Sequence, residues 1–365
     1  MARKRKIDVA VLYNFLGEDE FETLRQGLQG GETELSPEMA EEYDAEAIGD
    51  EIATVEEEIQ AVEDGISGAG FTARTINIKD DFQILMQALT NPRPDVVFNL
   101  VEWFNDDSWL EDRVAALYDL LQIPYTGSPP VALATCQRKD RTKEILQANG
   151  VPTPRFMVVT KEPIPRLGGL RYPVIVKPTR ADASEGISED SVVENRQRLV
   201  QQVRMILEDY EQPALVEEFI AGRELGVSVL GNDPPRVLPL EEMDFSELPA
   251  GYRGIISFES KWDPLNEVYH KSELICPAKV SKSVKKRASE MALRAYQVMG
   301  CRDYARIDIR LDRRGRLYVL EVNPNPDLSE AVGFGASARA GGLTFRQTLR
   351  HIVRSALKRN HRQGS

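Results

Sequence analysis

The chain has 365 residues, 42% of them hydrophobic and 28% charged, and a formal net charge of −12. This length exceeds one small core and predicts two or three packed lobes, and no apolar run approaches the roughly 18 residues of a membrane span. Only three cysteines and three histidines are present, the cysteines far apart; this argues against a disulfide framework, a zinc site or His-based chemistry, and for a reducing cytoplasm where catalysis rests on carboxylates, Lys, Arg and bound metal.

Residues 7–16 read as a buried first strand rather than a signal peptide, because Asp8 interrupts the apolar stretch and no small-residue cleavage site follows. Residues 17–64 then hold 18 acids and one base, Arg25, so the remainder carries 45 bases against 40 acids. Such a block reads as a solvated loop or linker, with recruitment of a basic partner as the alternative. Val55, Ile59, Val62 and Ile66 mark a helix ending at Gly68–Gly70, and residues 71–78 return as a strand. A further strand at 95–101 precedes a helix carrying Leu110, Val114, Leu117, Tyr118 and Leu121. The order β-α-β-β-α predicts an open α/β sheet for residues 1–130, with an acidic insertion at about 17–54.

Residues 131–214 form a second unit: a helix, a buried strand ending at Lys177, a loop of small residues, and a helix at 194–209. The third, 215–365, holds a helix at 284–299, a hairpin at 306–326 and a basic amphipathic helix with Leu349, Ile352, Val353, Ala356 and Leu357 at helical spacing. No aromatic or recognition motif accompanies that basic charge, so neither nucleic acid nor membrane is an expected partner.

The hairpin "RIDIRLDRRGRLYVLEVNPNP" carries the chemistry. If Asp312 pairs with Leu317 around the turn 313–316, Asp308 faces Glu321 and Arg306 faces Asn323, all on one sheet face. Facing carboxylates repel unless a cation lies between them, and oxygen ligands of this kind suit Mg²⁺; the alternative is a solvated face with an Asx turn at "NPNP". Phosphate-binding candidates are Lys177, Lys139 and the loop Ser184–Gly186, as a source of backbone N–H groups for the terminal phosphates. Glu217 and Glu224 stand on either side of "FIAGR".

In their joint order, Lys139, "VIVKP", the small-residue loop, "EEFIAGRE" and the hairpin resemble the ATP-grasp enzymes, and within them the D-alanine–D-alanine ligase family. "IPYTGS", "TKEILQANGVPTP", "CPA" and "AGGLTF" extend the resemblance over most of the chain. It implies an ATP-grasp fold of α/β class behind an N-terminal open parallel sheet, with ATP between two lobes. It places Lys139, Lys177, Ser184 and Gly186 at the phosphates, Glu217, Phe219 and Ile220 around adenine, and Glu224 on the ribose. Asp308, Glu321 and Asn323 match magnesium ligands, two ions with Glu321 bridging and Mn²⁺ as a substitute. Arg306, Lys261 and Ser184 face the transferring phosphoryl group. The implied reaction phosphorylates a carboxylate and lets an amine displace the phosphate, and a homodimer is the expected assembly.

Departures gather where substrates would bind. The family's Gly-Gly-x-Ser-x-Glu is "YNFLGEDE" here, its Gly-Ser-Ser-x-Gly loop runs Asp182, Ala183, Ser184, Glu185, Gly186, its tyrosine is Trp262, and its Gly-x-Thr-x-x-Ser-Leu is "DLSEAVGFG". Lost hydrogen-bonding groups change specificity by large factors, so the expectation is a ligase for a different carboxylate and amine. Trp262, Glu102 and Asp327 are the substrate-contact candidates, with Asp106 beside Glu102. The rivals are a true D-alanine–D-alanine ligase and a non-catalytic nucleotide-binding or scaffold protein. "GFGASA" at 333–338 is no dinucleotide fingerprint, since it follows a loop and lacks the acid about 20 residues on.

Overall fold

The structure, a computed structural model, describes residues 5–180, 184, 186–249, 251–330 and 332–363. The chain opens with β1 (Asp8–Tyr13) and continues through helices α1 (Glu20–Gly30), α2 (Pro37–Glu42), α3 (Ala45–Glu51) and α4 (Val55–Gly68). β2 (Thr72–Asn77), α5 (Phe82–Thr90), β3 (Val96–Leu100), α6 (Glu111–Leu120) and α7 (Pro130–Cys136) follow. β1 lies between β2 and β3, both parallel to it. Parallel neighbours need crossovers, and α5, absent from the order read in sequence, supplies the one between β2 and β3; Asp81 caps it by accepting the N–H groups of Gln83 and Ile84.

The acidic stretch is folded rather than a solvated linker. Asp19, Ser36 and Asp44 cap the starts of α1, α2 and α3, and Thr54 with Glu57 forms a capping box on α4. Acids at helix N-termini are favoured by the dipole, so part of the negative charge stabilises these helices. Leu28, Met39, Ile48 and Ile52 form their buried cluster, against which Phe21, Leu24, Tyr43 and Leu265 pack.

The second sheet is antiparallel in the order β4-β7-β5-β6. After α8 (Lys139–Ala148), it uses β4 (Phe156–Val159), β5 (Val174–Pro178), β6 (Val192–Val193) and, beyond α9 (Arg196–Asp209), β7 (Ala214–Glu218). The third begins with β8 (Gly222–Leu230), β9 (Arg236–Val237) and β10 (Glu241–Asp244), then α10 (Glu259–Trp262), α11 (Glu267–His270) and β11 (Glu273–Ile275). α12 (Lys282–Val298), β12 (Tyr304–Asp312), β13 (Leu317–Asn323), α13 (Gly333–Ala340) and α14 (Phe345–Gln363) complete the chain. Its sheet runs β11-β10-β8-β12-β13 with β9 beside β8. One face buries Val227, Val229, Ile307, Ile309 and Val319 against Ala288, Ala292 and Tyr296 of α12. The other carries the polar residues of the hairpin. Leu349, Ile352, Val353 and Ala356 of α14 pack with Val9, Val96 and Phe98, so the basic helix covers the first sheet.

Candidate active site

Alternation along β12 puts Arg306, Asp308 and Arg310 on the face opposite Ile307 and Ile309. Arg306 pairs with Asn323 and Asp308 with Glu321, as the sequence predicts. The turn differs: Leu311, not Asp312, pairs with Leu317, and a bulge beside Asp308 and Ile309 restores the register. Asp312 is the cause. Its Oδ1 accepts the N–H groups of Arg314 (2.9 Å) and Arg316 (2.8 Å), closing the turn one residue early, and Leu320 becomes the extra residue. Asn323 Oδ1 accepts the Asn325 N–H at 2.9 Å, so the Asx turn exists, and an amide oxygen keeps a second lone pair beside that bond. Asn325 is fixed in turn by Tyr304 Oη (2.8 Å) and donates to buried Glu111 (3.2 Å).

Burial alone would raise the Glu321 carboxyl, yet Lys139, Lys177, Lys261 and Arg306 hold it down to about 2. Four predicted site cations therefore converge on one carboxylate. Burial and Arg306 pull Lys261 below its usual range, while Glu321, Asp308 and Glu224 oppose them. Arg306 Nε and Nη2 donate to the two Asp308 oxygens at 2.8 and 2.9 Å. Two carboxylates and an amide oxygen fit Mg²⁺, which keeps water and phosphate oxygens for the rest of its shell. Among the described residues no group of three or more His, Cys, Asp or Glu is placed to hold a metal ion.

On the nucleotide side, buried Glu217 lies between two lysines: Oε1 is 2.7 Å from Lys177 Nζ and Oε2 is 2.6 Å from Lys143 Nζ. Lys143, which also donates to Thr153 Oγ1 at 3.0 Å, was not anticipated; it follows Lys139 by four residues on α8, one helical turn along the same side. Burial drives Lys143 down to about 8, with Glu217 opposing and Lys177 adding to the fall. Burial also acts on Lys177 and Glu217, but the neighbouring charges win: Glu217 and Glu321 raise Lys177, and Lys143 and Lys177 lower Glu217. Glu224 Oε2 is 3.1 Å from Arg310 Nη1, and Arg310 also donates to the carbonyls of Ile220 (3.1 Å) and Gly254 (2.6 Å) and covers the Phe219 ring at 5.3 Å. Arg310 was missed too, although alternation from Asp308 would have found it. The Phe219 N–H is spent on Pro173 (3.1 Å). In the phosphate loop Gly186 has φ +69°, and a Cβ there would lie 3.0 Å from Pro178 and Tyr210; Ser184 shares the left-handed backbone at φ 68°. Asp182, Ala183 and Glu185 lie outside the described residues.

At the substrate end Trp262 is partly exposed, its ring 6.4 Å from Phe21 of α1. Tyr43 stacks on His270 at 4.4 Å and Glu42 pairs with Lys271 at 3.3 Å, so the acidic helices dock on the α10–α11 segment that holds Lys261. Asp327 Oδ1 accepts from the Ser329 N–H (2.7 Å) and hydroxyl (2.6 Å), and that hydroxyl also lies 3.1 Å from Glu58 of α4. Burial, then Asp327 and Asp19, raise Glu58. Glu102 is exposed just beyond β3, and the Asp106 N–H donates to Asp80 at 3.1 Å.

Residues 145–354 match the family model described as D-ala D-ala ligase C-terminus. A relative from Sinorhizobium fredii, the uncharacterized protein y4sG, is 34% identical over 72% of this chain and 75% of its own length. D-alanine–D-alanine ligase of Desulforudis audaxviator is 35% identical over 68% of this chain and 78% of its own. The solved D-alanine–D-alanine ligase of Bacillus anthracis, complexed with ATP, superposes with a TM-score of 0.69 at 18% identity, over 98% of this chain and 100% of that one, which shows the shared fold. The hairpin face, the match across more than half the chain and these relatives together place the protein in the D-alanine–D-alanine ligase family, ATP-dependent C–N ligases of ATP-grasp fold.

Proposed function

We propose that this chain is a Mg²⁺-dependent carboxylate–amine ligase acting on a substrate pair other than two D-alanines. The observation that carries the chemistry is Glu321, ionised by four converging cations and facing Asp308 across the hairpin. Phosphoryl transfer needs positioning and charge neutralisation more than a protein base. Lys139 and Lys177 would hold ATP phosphates; Lys261 and Arg306 would neutralise charge as the phosphoryl group moves to the carboxylate oxygen, with Ser184 and Gly186 closing over it. Asp308, Glu321 and Asn323 would hold the metal, which supplies further neutralisation and fixes the phosphate geometry. The amine then attacks the acylphosphate carbonyl and phosphate leaves. Glu217 and Glu224 would take the adenine amine and the ribose, and Phe219 and Ile220 would flank the base.

The different-substrate reading rests on the rebuilt end: Trp262 meets Phe21 of the acidic helices, and Asp327 joins Glu58 through Ser329. A true D-alanine–D-alanine ligase is the second reading, favoured by the names of relatives about a third identical. ADP release with Mg²⁺-ATP, followed over a panel of amino acids and dipeptides with Glu321→Ala as blank, decides between them. Stimulation by D-alanine alone selects the second reading; stimulation by another pair selects the first. ATP binding without stimulated turnover rejects both.

A further inference from the structure

Arg306 and a divalent cation compete for the same atoms. Both Asp308 oxygens accept from Arg306, at 2.8 and 2.9 Å, so Asp308 can turn to a metal only if the guanidinium is received elsewhere. Leaving a largely buried guanidinium without a partner is expensive.

Glu241 is placed to receive it. Across the sheet, Asp308 pairs with Gly226 of β8, and Gly226 pairs with Glu241 of β10. The Glu241 side chain leans over Gly226: a Cβ built there would lie 2.3 Å from Glu241 Oε1 and 2.6 Å from its Cγ. Only a glycine leaves that room, and the carboxylate thereby sits about one strand spacing, roughly 5 Å, from the row of Asp308. Glu241 is buried, and among the described residues its hydrogen-bond donor is Ser337 Oγ of α13, at 3.2 Å. A buried carboxylate with one neutral donor is short of a cation. The charged groups facing it are Arg306, Asp308 and Lys261. A second observation points the same way. Ser228, the residue across from Arg306 on β8, is fully buried, and its Oγ has no hydrogen-bond partner among the described residues. An acceptor beside the Arg306 stem is thus unused.

We propose that Glu241, assisted by Ser228 Oγ, receives Arg306 when Asp308 turns to the metal, and so acts as a positioning residue for Arg306. Glu241 is not itself a metal ligand in this arrangement. The inference rests on the metal site proposed above.

Mn²⁺ binding to the full chain, followed by electron paramagnetic resonance of the free ion, tests it without turnover. Glu241→Gln should weaken Mn²⁺ binding by about tenfold or more, as loss of an outer-sphere partner does, and Glu241→Asp should recover part of that loss. Arg306→Gln removes the competitor and should tighten binding; in that background Glu241→Gln should have little further effect. Unchanged affinity in Glu241→Gln, or the same loss in both backgrounds, overturns the proposal, the latter result making Glu241 a ligand or a general field effect. Absence of Mn²⁺ binding, or none lost in Asp308→Asn, overturns the metal site and this inference with it. Circular dichroism of each variant at the assay temperature confirms that the compared chains are folded.

Discussion

Replacing Lys143 by Met keeps the length of a fully buried side chain and removes its charge. In the folded chain burial brings the Lys143 ammonium down to about 8 from its usual 10.5, with Glu217 opposing. Between those values the unfolded chain holds the proton and the folded chain does not, so stability rises with pH. Lys177 is raised and Glu217 lowered, so neither titrates in that window. Integrated from about pH 7 to about pH 10, the Lys143 contribution is on the order of 2–3 kcal/mol. Guanidinium unfolding of wild type and Lys143→Met across this range measures it. The stability of wild type relative to the variant should climb by that amount toward high pH. A flat difference would show that Glu217 outweighs burial and keeps Lys143 charged to its ordinary range, refuting burial as the dominant influence on the pair.

Arg310→Leu takes from largely buried Glu224 the cation paired with it and frees two carbonyls, so the loss should be about 3–5 kcal/mol by denaturant titration; Arg310→Lys should not restore it, because one ammonium cannot reach all of these acceptors over a ring, and a loss under about 1 kcal/mol would contradict the clamp. Asp308→Asn should lower ATP turnover by at least about a hundredfold with the fold intact, read as kcat in the ADP-release assay, since it weakens the hold on the metal that would neutralise charge in the transition state. Trp262→Ala should cost about 1 kcal/mol of aromatic contact with Phe21 and speed proteolysis within α1–α3; equal cleavage rates would mean that the acidic helices do not depend on this contact.

The pairing of Asp308 with Glu321 and of Arg306 with Asn323 was legible because strand alternation is a period-two signal that survives without any contact information. Even the bulge is visible in hindsight: Leu317 and Val319 are buried two apart, then Val322 three further on. Lys143 and Arg310 follow the same periodic logic from Lys139 and Asp308, although neither stands in a motif of its own. The acidic block misled for a different reason. Its apolar cluster takes Leu28, Met39, Ile48 and Ile52 from three short helices, spacing too irregular for any one window, while average charge dominates the composition. The contacts of the substrate end join residues far apart in the chain, Phe21 with Trp262 and Glu58 with Ser329. No local pattern encodes such pairs. Glu241 had only the adjacent acids of "LEEMD" as a hint, and its meaning comes from Gly226 on another strand.

The ion pairs of the site differ in whether binding would break them, and their construction follows that difference. Lys177 would have to turn toward phosphate, and Glu217 would then be a buried carboxylate left alone, were it not for Lys143 at 2.6 Å on its other oxygen. Arg306 would have to release Asp308, and Glu241 stands over Gly226, the strand partner of Asp308. Each pair that must open thus has a third charged member, so the exchange never strands a buried charge, a loss otherwise worth about 3–5 kcal/mol against binding. Arg310 and Glu224 need no such exchange, although Lys261 also acts on Glu224. Arg310 is tied instead to two backbone carbonyls, and Glu224 uses one oxygen on it, leaving the other for a ribose hydroxyl. A pair that does not have to open can be clamped, and this one joins β12 to the Phe219–Ile220 segment that would flank the base. On this view Lys143 serves nucleotide binding without touching the nucleotide: Lys143→Met should weaken ATP affinity by holding Lys177 on Glu217, while Lys143→Arg, which keeps the charge, should weaken it less. Equal affinities in the two variants would separate Lys143 from the exchange and leave it a packing residue.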